Sequence, residues 1–188
     1  MRFVCMTVLL LVALLGLTFA EEEVEMPSME PRIEDMDSLI IVGVGYQGDD
    51  IFERIMTLWM ELIQRKGEFE NLASQVEAFG VSLMPENAEK QTDFRYIAGY
   101  EVTKTSKIPE GMEIVTIPAG KYAIFTHKGS LENLQATYAY ILGVWPQKTT
   151  EYSLRHAPQL ERYGLKFNAM SEQSEIEILV PIDKVETK

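Results

Sequence analysis

The sequence repeats one order of secondary-structure patterns at a constant offset. Amphipathic helix patterns begin at Ile51 and at Leu131, and two strand patterns that alternate apolar and polar positions, 94–102 and 174–182, are separated by the same distance. An equal offset at two places is typical of an internal duplication, although few residues are identical between the halves. The chain is therefore expected to fold as two similar halves.

Each half reads as strand, helix, strand, strand. In the first half, 39–45 is a wholly apolar run typical of a buried strand, the helix runs from Ile51 towards Gly67, and strands follow at 79–83 and 94–102. In the second half, 112–117 and 121–127 indicate one long strand with a bend at 118–120. Its helix is expected over 131–145, capped by Ser130 and stopped by Pro146, before strands at 160–167 and 175–182.

This order predicts an α+β fold built from duplicated β-α-β-β units with pseudo-twofold symmetry. The sheet is expected to be antiparallel and curved, with one helix from each half packed on it. Where the halves meet, the two helices diverge and leave a central groove, which is the usual place for a small-molecule site.

The N-terminal segment 1–20 has the pattern of a signal peptide. Arg2 precedes an apolar run over 3–17, and cleavage is expected after Ala20; a retained anchor is the alternative. The single cysteine, Cys5, lies within this segment, so the mature chain has no thiol and no disulfide. Residues 21–37 are acidic and contain two prolines, which predicts a solvated linker, and residues 38–188 are expected to form the domain.

The charge balance argues against nucleic-acid binding. The net charge is −12, from 17 basic and 29 acidic residues, whereas contact with phosphates needs a positive patch. Cationic partners, or simple solubility, fit such a chain better.

Glu177 is the acidic residue that the strand pattern singles out. It lies in the middle of the closing strand 174–182, on the face opposite Ile176 and Ile178, and it matches Ile97 at the offset of the two halves. Its carboxylate lies either on a solvated face or in a cleft, where it would meet a charged ligand. The pattern leaves both readings open, although replacement of an apolar residue by an acid favours the second.

No metal or cofactor site is expected. His127 and His156 are the only histidines and share no ligand spacing with a third donor, and His127 is better explained as a turn-stabilising residue. Axial ligation of a tetrapyrrole by one histidine is a minor alternative. The chain has no glycine-rich phosphate loop.

An ordered series of short motifs in the second half resembles a known family. The motifs are G-K-Y-A-I-F-T-H-K-G at 120–129, G-V-W-P at 143–146, Y-S-L-R at 152–155, Q-L-E-R-Y at 159–163 and E-I-E-I-L-V-P-I at 175–182. Together they resemble the GyrI-like effector-binding domains, which also occur at the C-terminus of AraC-type and multidrug-sensing activators.

The resemblance implies a groove that binds amphipathic, often cationic, small molecules around a buried glutamate. In the family this glutamate lies four residues before the proline of the final strand, and that position is Glu177 here. A desolvated carboxylate favours a cation, and aromatic walls add dispersion and cation–π attraction. The candidate wall residues are Tyr122, Tyr138, Trp145 and Tyr163.

The expected function is that of a stand-alone, exported protein that senses or sequesters a small ligand without a DNA-binding domain. The first alternative, also implied by the resemblance, is a hydrolase that opens strained electrophilic rings, with Glu177 as a general base of raised pKa and Trp145 or Tyr122 positioning the substrate. A second alternative is a protein-interaction module of the cell envelope.

Overall fold

The computed structural model describes residues 29–48, 50–85 and 93–186. The expected signal peptide and residues 21–28 of the expected linker lie outside these residues. In the described part of the chain, no helix is both long enough and apolar enough to cross a membrane.

Nine strands of the described chain form one antiparallel sheet. Their bounds are β1 Arg32–Met36, β2 Leu39–Gln47, β3 Ala78–Leu83, β4 Arg95–Glu101, β5 Glu113–Ile117, β6 Gly120–Lys128, β7 Tyr152–Leu154, β8 Gln159–Tyr163 and β9 Glu175–Lys184. The short strand β7 pairs with β9 beside the main path of the sheet.

The order of the strands confirms the duplicated fold. Along the sheet it is β1-β6-β9-β8-β3-β4-β2-β5, so β2, β3 and β4 of the first half occupy the positions that β6, β8 and β9 occupy in the second. The halves join where β3 pairs with β8 in the centre of the sheet. The predicted α+β architecture, with a curved antiparallel sheet and helices from both halves, is therefore confirmed.

The two helical segments differ in regularity. Helix α1 spans Ile51–Gln64, and its buried residues Ile51, Leu58 and Leu62 form one face. The second segment begins with a 3₁₀ turn over Leu131–Asn133, where the Ser130 hydroxyl accepts a hydrogen bond from the Glu132 amide as expected for a cap. It continues as α2 Leu134–Ala139, a π-helical turn Tyr140–Val144 and α3 Trp145–Lys148.

Both faces of the sheet are covered by apolar side chains. Beneath α1, the buried cluster includes Val44, Leu58 and Ala98, and beneath the second helical segment a separate cluster includes Phe125 and Ile178. The opposite face carries a third buried cluster, formed by Ile41, Phe79, Val81, Ile97, Ile117, Tyr122, Ile124, Leu160 and Leu179. The helix face and the opposite face therefore offer two distinct settings for a polar side chain.

Three local expectations differ from the structure. Residues 32–36, expected within the linker, form β1 because their backbone pairs with the edge of β6. The stretch 112–127 forms two strands with different partners, since β5 pairs with β2 and β6 pairs with β9 and β1. Pro146 does not stop the helix at Trp145, because it lies in the first turn of α3, where the fixed φ of proline is compatible with the helix.

Candidate functional site

A buried glutamate lies at the centre of the sheet, on the face that carries the helices. Glu161 is on β8, where it pairs with Ile178 of β9 on one side and with Gly80 of β3 on the other. Its relative exposure is 7%. A carboxylate buried to this degree needs compensating partners.

Three tyrosine hydroxyls donate to this carboxylate. Tyr96 of β4 donates to Oε2 at 2.7 Å, Tyr163 of β8 donates to the same oxygen at 2.9 Å, and Tyr138 of α2 donates to Oε1 at 2.8 Å. Because they come from two strands and a helix in different halves, the halves jointly build the site. We call Glu161 with these three tyrosines the Glu161 site.

Helix α1 contributes a tryptophan to the same place. The indole N–H of Trp59 donates to the Tyr96 hydroxyl at 3.2 Å, and its ring meets that of Tyr163 edge-on, with centroids 4.7 Å apart. Phe167 also packs edge-on against Tyr163, at the same centroid distance. The carboxylate is therefore surrounded by aromatic rings from both helical segments and the sheet.

Gly80 provides the space that the carboxylate occupies. A Cβ atom at this position would lie 2.1 Å from the Tyr96 hydroxyl oxygen and 2.6 Å from Glu161 Oε2. Any side chain at residue 80 would thus occupy the position of the hydrogen bond between Tyr96 and Glu161.

The tyrosines of the site remain protonated donors at neutral pH. Burial raises the pKa of Tyr96, Tyr138 and Tyr163 well above the ordinary value, and the neighbouring negative charge of Glu161 raises each pKa further. Their hydroxyls are held as hydrogen-bond donors rather than as phenolates.

The charge of Glu161 is compensated by neutral groups alone in the described part of the chain. The residues that bond to it there are the three tyrosines, and the ion pairs formed by described lysines and arginines go to other carboxylates. A carboxylate offers about four acceptor positions, so one position, on Oε1, remains after the three tyrosines. An arriving cation with an N–H group could both neutralise the charge and fill that position.

Glu177, the acid singled out by the sequence, lies on the other face of the sheet. Arg162 Nε donates to its Oε2 at 2.7 Å and an Arg32 Nη donates to its Oε1 at 2.9 Å, and its side chain is 27% exposed. Burial acts to raise the pKa of Glu177, but the hydrogen bonds from the two arginines and their positive charges outweigh it and hold the pKa below its ordinary value. The pKa shift is thus opposite to the one expected for a general base in an apolar pocket.

The four predicted wall residues fall in three places. Tyr138 and Tyr163 lie in the Glu161 site, whereas Tyr122 belongs to the buried cluster on the opposite face and donates to the Pro118 carbonyl at 2.8 Å. Trp145 is buried beneath the second helical segment, where its ring meets Phe125 edge-on with centroids 5.3 Å apart. Tyr138 also packs against the cluster that contains Trp145, whereas Tyr122 and Glu177 lie on the opposite face of the sheet. Ligand contact by each of the predicted site residues stays a prediction.

Sequence reasoning missed Glu161, Tyr96, Trp59 and Gly80. Glu161 follows Leu160 in a predicted strand, and it is matched by Gly80 when the two halves are aligned with a shift of one position. A glutamate paired with a residue that lacks a side chain is the signal that could have identified the site. The unshifted alignment, which matches Ile51 with Leu131, paired Glu177 with Ile97 instead.

The two histidines have other surroundings. His127 is buried, with Nδ1 2.8 Å from the Thr137 hydroxyl and Nε2 3.1 Å from the Ser130 carbonyl oxygen, so it ties β6 to the start of the helical segment. His156 lines a cavity of about 490 Å³ with Gln47, Leu83, Arg95 and other residues. Neither lies in the Glu161 site, and the described residues contain no group of three His, Cys, Asp or Glu side chains placed to hold a metal ion.

Comparison with known proteins connects this geometry to a family. The model of the GyrI-like small molecule binding domain matches residues 29–183. The transcriptional regulator BrlR of Pseudomonas aeruginosa is 30% identical over 163 residues, which are 82% of this chain and 56% of the regulator. The chain therefore spans a little over half the length of this relative.

Solved structures share the fold at low sequence identity. SAV2435, in a structure bound to tetraphenylphosphonium, superposes with a TM-score of 0.64 at 17% identity, over 82% of this chain and 94% of that one. The C-terminal domain of EcmrR superposes with a TM-score of 0.61 at 17% identity, over 84% of this chain and 99% of that domain. Since the family model covers nearly the whole described chain, the protein belongs to the GyrI-like small-molecule-binding domain family.

Proposed function

We propose that the protein binds an aromatic or apolar cation at the Glu161 site. The observation that carries the proposal is a buried carboxylate whose described partners are neutral tyrosine hydroxyls. A bound cation would lower the cost of burying this charge, and an anion would raise it. Selectivity for positive charge follows from that difference.

The aromatic rings around Glu161 give the site a second preference. Trp59, Tyr163 and Phe167 present edges and faces to one another beside the carboxylate, and aromatic faces attract cations through their quadrupoles. A ligand that carries its charge on an apolar or aromatic body would satisfy both parts of the site. The tetraphenylphosphonium bound by SAV2435 is a ligand of this kind in a protein of the same fold.

The location of the protein is part of the proposal. The sequence of the N-terminal segment 1–20 supports export with cleavage after Ala20, so the protein would act as a sensing or sequestering module outside the cytoplasm. The mass of the protein isolated from its own cells tests this: a mature chain that begins at Glu21 is expected, and an intact N-terminus in the cytosolic fraction would contradict export.

Binding of tetraphenylphosphonium by isothermal titration calorimetry tests the site. We expect Glu161→Gln to weaken binding by about tenfold or more, because the amide keeps the shape and removes the charge. Glu177→Gln is the matched control, since it removes a carboxylate from the other face of the sheet, and it should change the Kd less than about twofold. Equal losses in both variants would show that binding does not depend specifically on Glu161, and a loss confined to Glu177→Gln would move the site to Glu177, as the sequence predicted.

A further inference from the structure

The outer surface of α1 carries apolar side chains that the fold does not bury. Phe52, Met56, Met60 and Ile63 are exposed by 64%, 66%, 57% and 62%. They follow a spacing of four, four and three residues, which places them along one side of the helix. We call these four residues the α1 stripe. A row of large exposed apolar side chains is a recognised mark of a binding surface.

The stripe begins beside Trp59, the residue of α1 that contacts the Glu161 site, and continues around to the outer side of the helix. Successive residues of an α-helix point about 100° apart around the helix axis. Viewed along the axis of α1, Trp59 points about 80° away from the mean direction of the buried residues. Phe52 and Ile63 point up to about 40° further round in the same direction. The polar residues Glu53, Thr57 and Glu61 occupy the other side of the helix. The apolar surface of α1 therefore extends past Trp59 in one direction only, and Trp59 joins it to the site.

A second contact connects the stripe to the site. The ring of Phe52 stacks on that of Phe94, with centroids 6.0 Å apart and an interplanar angle of 16°. Phe94 comes two residues before Tyr96, the tyrosine that donates to Glu161 and accepts from Trp59. Phe94 and Trp59 pack against the same buried cluster as Tyr96, so they link the stripe to the Glu161 site at two places along the helix.

From these two links we propose that the α1 stripe binds the apolar tail of the cation whose charged group occupies the Glu161 site. The ligand is then an elongated amphipathic amine, with its N–H donating to the open position on Oε1 and its chain lying along α1. The stripe from Phe52 to Ile63 is about 16 Å long, so it suits a long alkyl or polyaromatic chain. This inference rests on the proposed function and specifies the class of ligand.

A series of N-alkylbenzylamines tests the inference on the purified full chain. The four probes share the benzylammonium head and carry a methyl, butyl, octyl or dodecyl chain. We expect the Kd to fall by about twofold to fourfold for each methylene that lies on the stripe. All four should lose affinity when Glu161 is replaced by Gln.

Two double variants separate the tail from the head. The double variant Met56→Gln with Ile63→Gln makes the stripe polar and keeps residue types that favour helix. It should weaken the dependence of the Kd on chain length. The Kd of the methyl probe should stay within about twofold of the wild-type value. Glu53→Gln with Thr57→Gln alters the polar side of α1 and should keep the full dependence. Thermal unfolding followed by circular dichroism should show α1 intact in both, because all four positions are exposed.

The outcomes distinguish the two proposals. A chain-length dependence that is the same in the stripe variant and in the wild-type protein would overturn the tail site and leave the head site in place. Failure of all four probes to bind would overturn this inference, and failure of tetraphenylphosphonium as well would overturn the proposed function. If the stripe variant instead lowers the mass measured by sedimentation and leaves the length dependence intact, the stripe contacts a second copy of the chain and the tail inference is wrong.

Discussion

Gly80 and Glu161 are paired directly across β3 and β8, at the point where the two halves of the sheet meet. The glycine occupies, in the first half, the position that the glutamate occupies in the second, so the site depends on a departure from the internal symmetry. With a side chain on both residues, the carboxylate and the Tyr96 hydroxyl would lack room on the helix face. The duplicated fold thus places a single glutamate in a space that is too small for side chains on both residues.

Replacement of Gly80 by alanine tests this relationship. The new Cβ would force the Tyr96 hydroxyl and the Glu161 carboxylate to move, and both are buried. We expect the free energy of unfolding to fall by about 1–3 kcal/mol, with a parallel loss of affinity for tetraphenylphosphonium. Chemical denaturation and calorimetry measure the two effects.

Gly67→Ala is the control for that substitution, because a Cβ at residue 67 would meet no heavy atom within 4 Å. It should leave ligand binding unchanged and alter stability only slightly. If Gly80→Ala behaves like Gly67→Ala, the space at Gly80 has no role in the site.

The titration of the tyrosines reports on the charge of Glu161. The pKa values of Tyr96, Tyr138 and Tyr163 are raised first by burial and then by Glu161. Glu161→Gln removes the second cause only, so these pKa values should fall towards the ordinary value without reaching it. Ultraviolet absorbance of tyrosinate, followed while circular dichroism shows the fold intact, measures the change.

Glu177→Gln serves as the comparison for the tyrosine titration, because Glu177 does not contribute to the raised pKa of any of the three tyrosines. The alkaline titration of that variant should match the wild-type curve. An unchanged curve for Glu161→Gln would mean that the tyrosines do not sense a charge at residue 161.

The fold was predictable from sequence because the periodic patterns report directly on burial. The offset between Ile51 and Leu131 identified the duplication, and β2, β3, β4 and β9 fall close to their predicted bounds, whereas β8 ends at Tyr163, four residues before its predicted end. Strand β1 was missed because Arg32, Glu34 and Asp35 read as a solvated segment, while an edge strand needs only one partner and tolerates polar side chains. Pairing with β6, a distant segment, decides its structure.

The site was less predictable because strand alternation identifies faces without saying which face the helices cover. Glu161 and Glu177 both lie in predicted strands among apolar neighbours. The register places Glu177 opposite Arg162, and Glu161 opposite Ile178, so their side chains lie on opposite faces. Tertiary contacts then place two arginines on Glu177 and three tyrosines on Glu161.

The ion pairs of Glu177 predict a contribution to stability that depends on pH. The pKa of Glu177 is lower in the folded protein than its ordinary value, so its contribution is present above the unfolded pKa and is lost as the pH falls through the folded pKa. The side chain is partly exposed, so Glu177→Gln should cost about 1 kcal/mol or less at neutral pH. Urea denaturation should show the difference between wild type and variant shrinking as the pH falls from about 5 to about 3. A difference that stays constant over this range would show that the two arginines do not lower the pKa.

The two tryptophans allow ligand binding to be located by fluorescence. Trp59 donates to the Tyr96 hydroxyl within the Glu161 site, whereas Trp145 is 5% exposed and packs on Phe125 in a separate cluster. A ligand at Glu161 should therefore change the emission of Trp59 and leave that of Trp145 nearly constant. Trp59→Phe should remove the ligand-induced change in fluorescence, and Trp145→Phe should retain it despite a loss of stability of about 1–3 kcal/mol from the smaller ring. The reverse result, with the signal lost in Trp145→Phe and kept in Trp59→Phe, would place the ligand against the second helical segment, where the sequence expected Trp145 to form a wall.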